Sequence, residues 1–305
     1  SKAVQDPFEA ILANKNFVLL DGGLATELEH RGLNLDDPLW SGKALLENPD
    51  VIESIHKEYL EAGSDIVTTA TYQATYEGFA KRGCSKNEYS ELLQLSIAIA
   101  KKSCREFGKG LTAASIGCYG AHLVDGSEYR GNYGLSKREL IDYHRKKLEI
   151  LTAANPDIIA FETIPCLIEA EAILELLLEF PDSASWLTFS CRNENEISNG
   201  ESFSECISAV SESPQIIATG VNCTPPQYIT RLLQSVKPER NQRLMVYPNS
   251  GEIWNDDQRC WNHNPNKRPV EEYVREWHKL GANIIGGCCR TTPSNIQAMK
   301  NVLDK

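Results

Sequence analysis

Cys223 and the adjacent pair Cys288–Cys289 carry the chemistry of a soft-metal site. Three thiolates suit zinc, and three protein ligands leave a fourth tetrahedral position for a substrate. Neighbouring side chains of a regular strand point to opposite faces, so both members of the pair cannot face inward from one. The chain must therefore turn there, and Gly286-Gly287 is expected to supply the backbone freedom. Spacing alone does not single out these three. A C-x-x-C pair is the commoner zinc signature, and Cys118, Cys166 and Cys191 also close apolar segments. A compact site drawn from near neighbours favours Cys223 with Cys288 and Cys289, while a buried inert thiol is the ordinary state of any one cysteine. Cys84, Cys104, Cys206 and Cys260 read as packing or surface thiols. Asp21, Glu162 and Asn222 also fall at segment ends. An acidic residue in such a place can bind substrate, cap a following helix or pair with a cation. The histidines have no metal-like spacing, and His56, His144 and His278 read as surface or helix-packing residues.

The elements that must position these groups alternate along the chain. Strand-like segments are expected at 17–22, 65–71, 111–117, 157–162, 185–191, 216–223, 243–248 and 284–288. Amphipathic segments lie between them; in KRELIDYHRKKLEILTAAN, Leu140, Tyr143, Leu148 and Leu151 follow helical spacing. Eight strand–helix units predict a single (β/α)8 barrel, an α/β fold, over residues 1–305. A doubly wound open sheet is the competing architecture, disfavoured because no G-x-G-x-x-G follows the first strand and Asp21-Gly22-Gly23 is only a turn. Helix-to-strand connections are short, whereas 24–50, 118–135 and 249–268 are long strand-to-helix loops. Barrel enzymes build their sites from those loops, so the cysteines, Asp21, Glu162 and Asn222 are expected on one elaborated rim.

The whole-chain balance narrows the function. Lys plus Arg number 31 against 42 Asp plus Glu, a formal charge of −11, which argues against a nucleic-acid partner. No apolar run approaches the ~18–20 residues that span a bilayer. The first residues hold no uninterrupted apolar core of a secretory signal. Ten cysteines spread through such a chain read as thiols or ligands, not a disulfide framework, so a reducing cytoplasm is the expected location.

DGGLATEL (21–28), DIVTTATYQ (65–73), FETIP (161–165), GVNCTPP (220–226) and GGCCRTTP (286–293) resemble the homocysteine S-methyltransferases over nearly the full length. The nearest likeness is to the stand-alone, cobalamin-independent members using S-methylmethionine or S-adenosylmethionine. The resemblance implies a (β/α)8 barrel, zinc (Zn2+) held by Cys223, Cys288 and Cys289, and homocysteine bound to it through its thiol. It further implies that Asp21, Glu162 and Asn222 line the substrate site, with Glu162 on the amino group and Asp21 contacting substrate or shaping the zinc site. Cobalamin-dependent relatives add modules for which this chain has no room. Betaine-using relatives carry an oligomerisation extension, whereas Lys305 closely follows the eighth helix, so the expected form is a monomer.

The implied chemistry is self-consistent. A free thiol titrates near 8.5, and the thiolate is the nucleophile. Coordination to zinc deprotonates a thiol, so no separate base is required. A sulfonium donor leaves as a neutral thioether and needs no general acid, which agrees with the lack of a Ser/His/Asp or His/Cys relay. Aromatic faces could hold the cation, with Trp40, Tyr72, Tyr119, Tyr247 and Trp254 as candidates and ordinary packing as the alternative. Rival readings are a betaine- or selenocysteine-type thiol or selenol methyltransferase, a redox dithiol at Cys288–Cys289, and a non-catalytic zinc-binding protein with a closed four-ligand site.

Overall fold

The strands alternate between two apolar environments, and that alternation builds the architecture. In the first, β1 (Val18–Leu19), and in the residues flanking it, Val18 and Leu20 pack with one cluster while Phe17 and Leu19 pack with another. The same alternation separates Ile158 and Ala160 from Ile159 and Phe161, and Ile284 from Ile285. The first cluster, with Trp186, Met245 and Ala218, fills the interior of a barrel; the second lies between strands and helices. Parallel strands covered on both faces read as continuous apolar runs, which is why these segments show no polar alternation. The interior also receives Phe8, just ahead of a short helix Glu9–Asn14, with its ring stacked on Trp186 at 6.3 Å.

The structure, a computed structural model, describes residues 4–33, 40–123, 127–236, 243–255, 257–258 and 260–305, without the side chains of 40–43, 122 and 254. The barrel strands after β1 are β2 (Ile66–Thr68), β3 (Leu111–Ile116), β4 (Ile158–Ile164), β5 (Ser185–Phe189), β6 (Ile216–Asn222), β7 (Arg243–Tyr247) and β8 (Ala282–Ile285). All adjacent pairs in the order β1-β8-β7-β6-β5-β4-β3-β2 are parallel. Barrel helices follow in step: α1 (Pro49–Ala62), α2 (Lys86–Phe107), α3 (Lys137–Ala153), α4 (Leu167–Leu177), α5 (Phe203–Ser211), α6 (Pro226–Ser235), α7 (Val274–Lys279) and α8 (Pro293–Leu303). The expected (β/α)8 barrel is present, with strands one to three residues shorter at their ends than the apolar pattern predicts at most positions.

Side chains complete the seam between β1 and β2. The Leu19 amide donates to Asp65 Oδ2 at 2.8 Å, and the Asp65 amide donates to the Leu19 carbonyl at 2.7 Å. Higher up, the Thr68 amide donates to Asp21 Oδ2 at 2.8 Å. Two carboxylates thus satisfy backbone groups that the ladder leaves unpaired.

The long loops have structure of their own. The first carries helices Leu24–His30 and Trp40–Glu47, and the third holds the antiparallel pair Ile253–Asn255 and Cys260–Asn262. The 118–135 loop contains a helix at Tyr119–Leu123 and a tight turn at Ser127–Tyr129, folded back so closely that a Cβ on Gly120 would sit 2.5 Å from the Glu128 nitrogen. No helix among the described residues is long and apolar enough to cross a membrane.

Candidate active site

The ends of β6 and β8 bring three sulfurs together. Cys223 follows β6 directly, at φ +46°, a left-handed conformation that costs a non-glycine residue on the order of 1–3 kcal/mol. Its amide is held by the Tyr247 carbonyl at 3.1 Å, and the Cys288 amide by the Pro248 carbonyl at 2.8 Å. After Cys289 the chain turns through Arg290 at φ +67°, where Arg290 Nε donates to Glu252 at 2.7 Å and Thr292 begins α8 with a reciprocal cap to Asn295. Neither Gly286 nor Gly287 has a positive φ, and what they contribute is space. A Cβ on Gly286 would run into the Leu20 side chain, and one on Gly287 would lie 2.5 Å from the Thr291 Cβ.

The Sγ atoms of Cys223, Cys288 and Cys289 all lie within 4.8 Å of one another, and among the described residues no other group of three or more His, Cys, Asp or Glu converges this way. Cys223 and Cys288 are joined as a disulfide, with Cα atoms 5.5 Å apart. The pairing is therefore not the vicinal one that a Cys288–Cys289 dithiol would need. Cys289 Sγ stands 3.8 Å from Cys223 Sγ, which matches the edge of a tetrahedron with metal–sulfur bonds of about 2.3 Å. The donor set and this spacing fit a soft metal once the disulfide is reduced. Burial pushes the Cys289 thiol up to about 12, with the Glu128 carboxylate as the next contributor.

Across the mouth, two carboxylates are held by neutral donors. Glu162 accepts from Ser115 Oγ at 2.5 Å and from the Tyr247 hydroxyl at 2.9 Å. Trp186 Nε1 donates to that hydroxyl at 3.1 Å, fixing Tyr247 from inside the barrel. Asp21 accepts from the Thr68 amide and from Thr68 Oγ1 at 3.1 Å. Burial raises both carboxyls; Asp21 reaches about 7, and the nearby charge of Glu162 adds to the shift. A pair that resists ionising in the absence of a cation is well matched to an ammonium group.

Asn222 joins the two sides. Its Oδ1 accepts from the Thr163 amide at 2.9 Å and from Thr188 Oγ1 at 2.8 Å, while Nδ2 donates to Thr163 Oγ1 at 2.9 Å and lies 4.0 Å from Cys288 Sγ. Thr163 itself sits at φ +59°. Nearby, the Tyr72 hydroxyl donates to Glu128 Oε2 at 2.7 Å. Glu128 and Tyr129, from the turn after β3, both bear electrostatically on the Cys289 thiol.

Residues 18–303 match the family model described as homocysteine S-methyltransferase. The chain belongs to the homocysteine S-methyltransferase family. It is 46% identical over 302 residues to homocysteine S-methyltransferase YbgG of Bacillus subtilis (strain 168), with 96% of each chain covered. It is 43% identical over 304 residues to homocysteine S-methyltransferase 1 of Arabidopsis thaliana, covering 94% of this chain and 93% of that protein. The metallated crystal form of the homocysteine methyltransferase MmuM from Escherichia coli superposes with a TM-score of 0.87 at 39% identity, covering 97% of this chain and 99% of that one, and its oxidized form matches equally well.

In this member of the homocysteine S-methyltransferase family, Cys223, Cys288, Cys289, Asp21, Glu162 and Asn222 gather at one rim of the barrel. Cys118, Cys166 and Cys191 do not join them: each is a buried free thiol, and burial raises all three. His144 is buried, with Nε2 2.7 Å from Glu169, and His56 is buried in α1. Of the aromatic candidates, Tyr247 serves Glu162, and Tyr119 packs edge-on against Tyr133 and Tyr143 at 5.1 and 5.0 Å. Tyr72 remains at the mouth; the side chains of Trp40 and Trp254 lie outside the described residues. Sequence reasoning missed Ser115, Thr163, Thr188, Glu128 and Tyr129 as site residues. The one signal for the last two was the length of the loop that bears them.

Proposed function

We propose that this chain is a zinc-dependent methyltransferase that moves a methyl group from a sulfonium donor, S-methylmethionine or S-adenosylmethionine, to the thiol of L-homocysteine, forming methionine. The observation that carries this reading is the convergence of the Cys223, Cys288 and Cys289 sulfurs within 4.8 Å of one another. Cys223, Cys288 and Cys289 would hold the metal. When bound there, zinc would supply an open fourth position at which the substrate thiol loses its proton.

The remaining groups bind and orient. Glu162, fixed by Ser115 and Tyr247, receives the homocysteine ammonium, with Asp21 close enough to share its charge. Asn222 keeps the end of β4 in register with the end of β6 through its paired bonds to Thr163. The homocysteine sulfur attacks the donor methyl carbon in line; the donor's carbon–sulfur bond breaks with its electron pair staying on sulfur, and a neutral thioether departs. Alignment of two sulfurs across one methyl is then the main demand on the protein. Residues 1–305 act on this reading as one homocysteine-binding barrel domain, a monomer working in the cytoplasm, where reducing conditions keep the Cys223–Cys288 pair available as thiolates.

A donor panel with homocysteine, run on reduced protein whose metal content is measured in the same sample, tests the reading. Methionine formation with a sulfonium donor and its loss on chelation are expected. A folded, zinc-replete sample inactive with every sulfonium donor would overturn it.

A further inference from the structure

Glu162 is the half-buried end of a hydrogen-bonded chain whose other members, Tyr247, Thr188, Asn222 and Trp186, are buried. The Tyr247 hydroxyl lies 2.9 Å from Glu162 Oε1, 3.0 Å from Thr188 Oγ1 and 3.1 Å from Trp186 Nε1. Thr188 Oγ1 lies in turn 2.8 Å from Asn222 Oδ1. Most of these bonds have a forced direction. The Thr163 amide can only donate, so the Asn222 atom it meets is the oxygen, and Thr188 must donate to that oxygen as well. The indole N–H can only donate, so it takes one lone pair of Tyr247. Tyr247 is left with a single proton and two acceptors, Glu162 and Thr188.

Two states follow from the number of protons available. With Glu162 protonated on Oε1, Glu162 donates to Tyr247, Tyr247 to Thr188 and Thr188 to Asn222, and every contact holds a proton. With Glu162 ionised, Tyr247 donates to the carboxylate, and one contact beyond it, Tyr247–Thr188 or Thr188–Asn222, holds none. A buried hydrogen bond left unmade is unfavourable, so the chain favours the neutral acid until a cation arrives. We propose that Tyr247 is a proton switch between Thr188 and Glu162, and that Thr188 is the positioning residue through which the site selects a charged amino group. The inference rests on the reading of Glu162 as the homocysteine ammonium site and adds how that site refuses ligands without the charge. An ammonium favours the ionised acid and turns the Tyr247 proton toward it; a neutral group meets a carboxyl already satisfied within the chain. Asp21, Lys147 and Cys289 also act on Glu162 electrostatically, and they are common to every variant that tests the switch.

The experiment compares reduced, zinc-loaded wild type with Thr188→Val, Trp186→Phe, Tyr247→Phe and the double variant Thr188→Val/Tyr247→Phe. Calorimetry follows binding of L-homocysteine and of its deamino analogue, and infrared difference spectra follow the carboxyl groups, with Glu162→Gln assigning the Glu162 band. In wild type, homocysteine is expected to erase the protonated Glu162 band and the deamino analogue to leave it. Thr188→Val removes the rival acceptor, so homocysteine Kd should fall by about threefold while the analogue's Kd stays within about twofold. Trp186→Phe removes the donor that strengthens Tyr247 as a donor to the carboxylate, so homocysteine Kd should rise by about threefold. In the Tyr247→Phe background, Thr188→Val should no longer tighten homocysteine binding. Weaker homocysteine binding in Thr188→Val, or a Thr188→Val effect that survives in the Tyr247→Phe background, would overturn the switch. Metal content and thermal unfolding report on folding; if a variant fails them, the infrared result in wild type decides. No Glu162 band in free wild type, or a band unchanged by bound homocysteine, removes the switch and leaves methyl transfer to homocysteine standing. Absence of homocysteine binding by wild type overturns both.

Discussion

The two sides of the barrel mouth are built by opposite means. On the β6–β8 side, the sulfurs are placed by backbone: left-handed Cys223 and Arg290, and two glycines against which Leu20 and Thr291 pack. On the β1–β4 side, the backbone is regular up to Thr163, and the carboxylates are placed by side chains from other strands: Thr68, Ser115 and Tyr247. A metal centre needs ligand atoms at fixed short distances, which strained backbone delivers. An ammonium site needs carboxylates whose charge appears when the ligand arrives, which burial and neutral donors deliver.

Breaking the sulfur side should have the largest effect. Cys289→Ser is expected to lower metal affinity more than about 100-fold, beyond the usual effect of losing a supporting residue, and to abolish turnover while the barrel stays folded. Metal analysis after dialysis checks this; zinc retained one-to-one would remove Cys289 from the ligand set. Glu162→Gln attacks the other side. It should raise homocysteine KM by about 100-fold, the cost of removing one partner of a buried charge pair, with metal content unchanged. A variant that loses metal as well would show that the two sides are not separable.

Gly287→Ala tests whether close packing holds the cysteine tail. Overpacking of this kind costs typically about 1–3 kcal/mol, and chemical denaturation should show it together with weaker metal binding. Unaltered stability would mean that Thr291 yields without moving Cys288.

The smallest effect concerns pH. A free Asp ionises near 3.8, but Asp21 in the folded chain does so near 7, so it is mostly protonated below that value. The substrate ammonium favours the anion, so kcat/KM for homocysteine should climb as pH rises toward 7, by about tenfold per unit at most, and level off above it. Asp21→Asn should flatten the limb. Thr68→Val, which removes one donor to the anion, should move the break upward by roughly half to one unit. A break unmoved in Thr68→Val would assign the limb to another group.

Much of the fold was legible because parallel barrel strands are apolar on both faces, and such runs stand out between amphipathic helices. The β1 segment was legible as a strand, but its seam with β2 was not, because Asp65 and Asp21 close it with side chains. The cysteines were legible as residues able to bind metal, and a family resemblance was needed to prefer them over Cys118, Cys166 and Cys191. The glycine pair was noticed, but the close packing it permits was not legible: from sequence a glycine signals freedom and close approach equally, and the choice depends on what lies opposite.

By itself the sequence determined the barrel and placed cysteines able to bind a soft metal at strand ends, because these follow from local periodicity and from residue type. Tertiary structure alone decided that Asp21 and Glu162 resist ionisation, that Tyr247 serves a carboxylate, and that Tyr72 donates to Glu128. The physical reason is range. Asp21 meets Thr68 across 47 residues, Tyr72 meets Glu128 across 56 and Tyr247 meets Glu162 across 85, and burial at each depends on every strand that encloses the mouth.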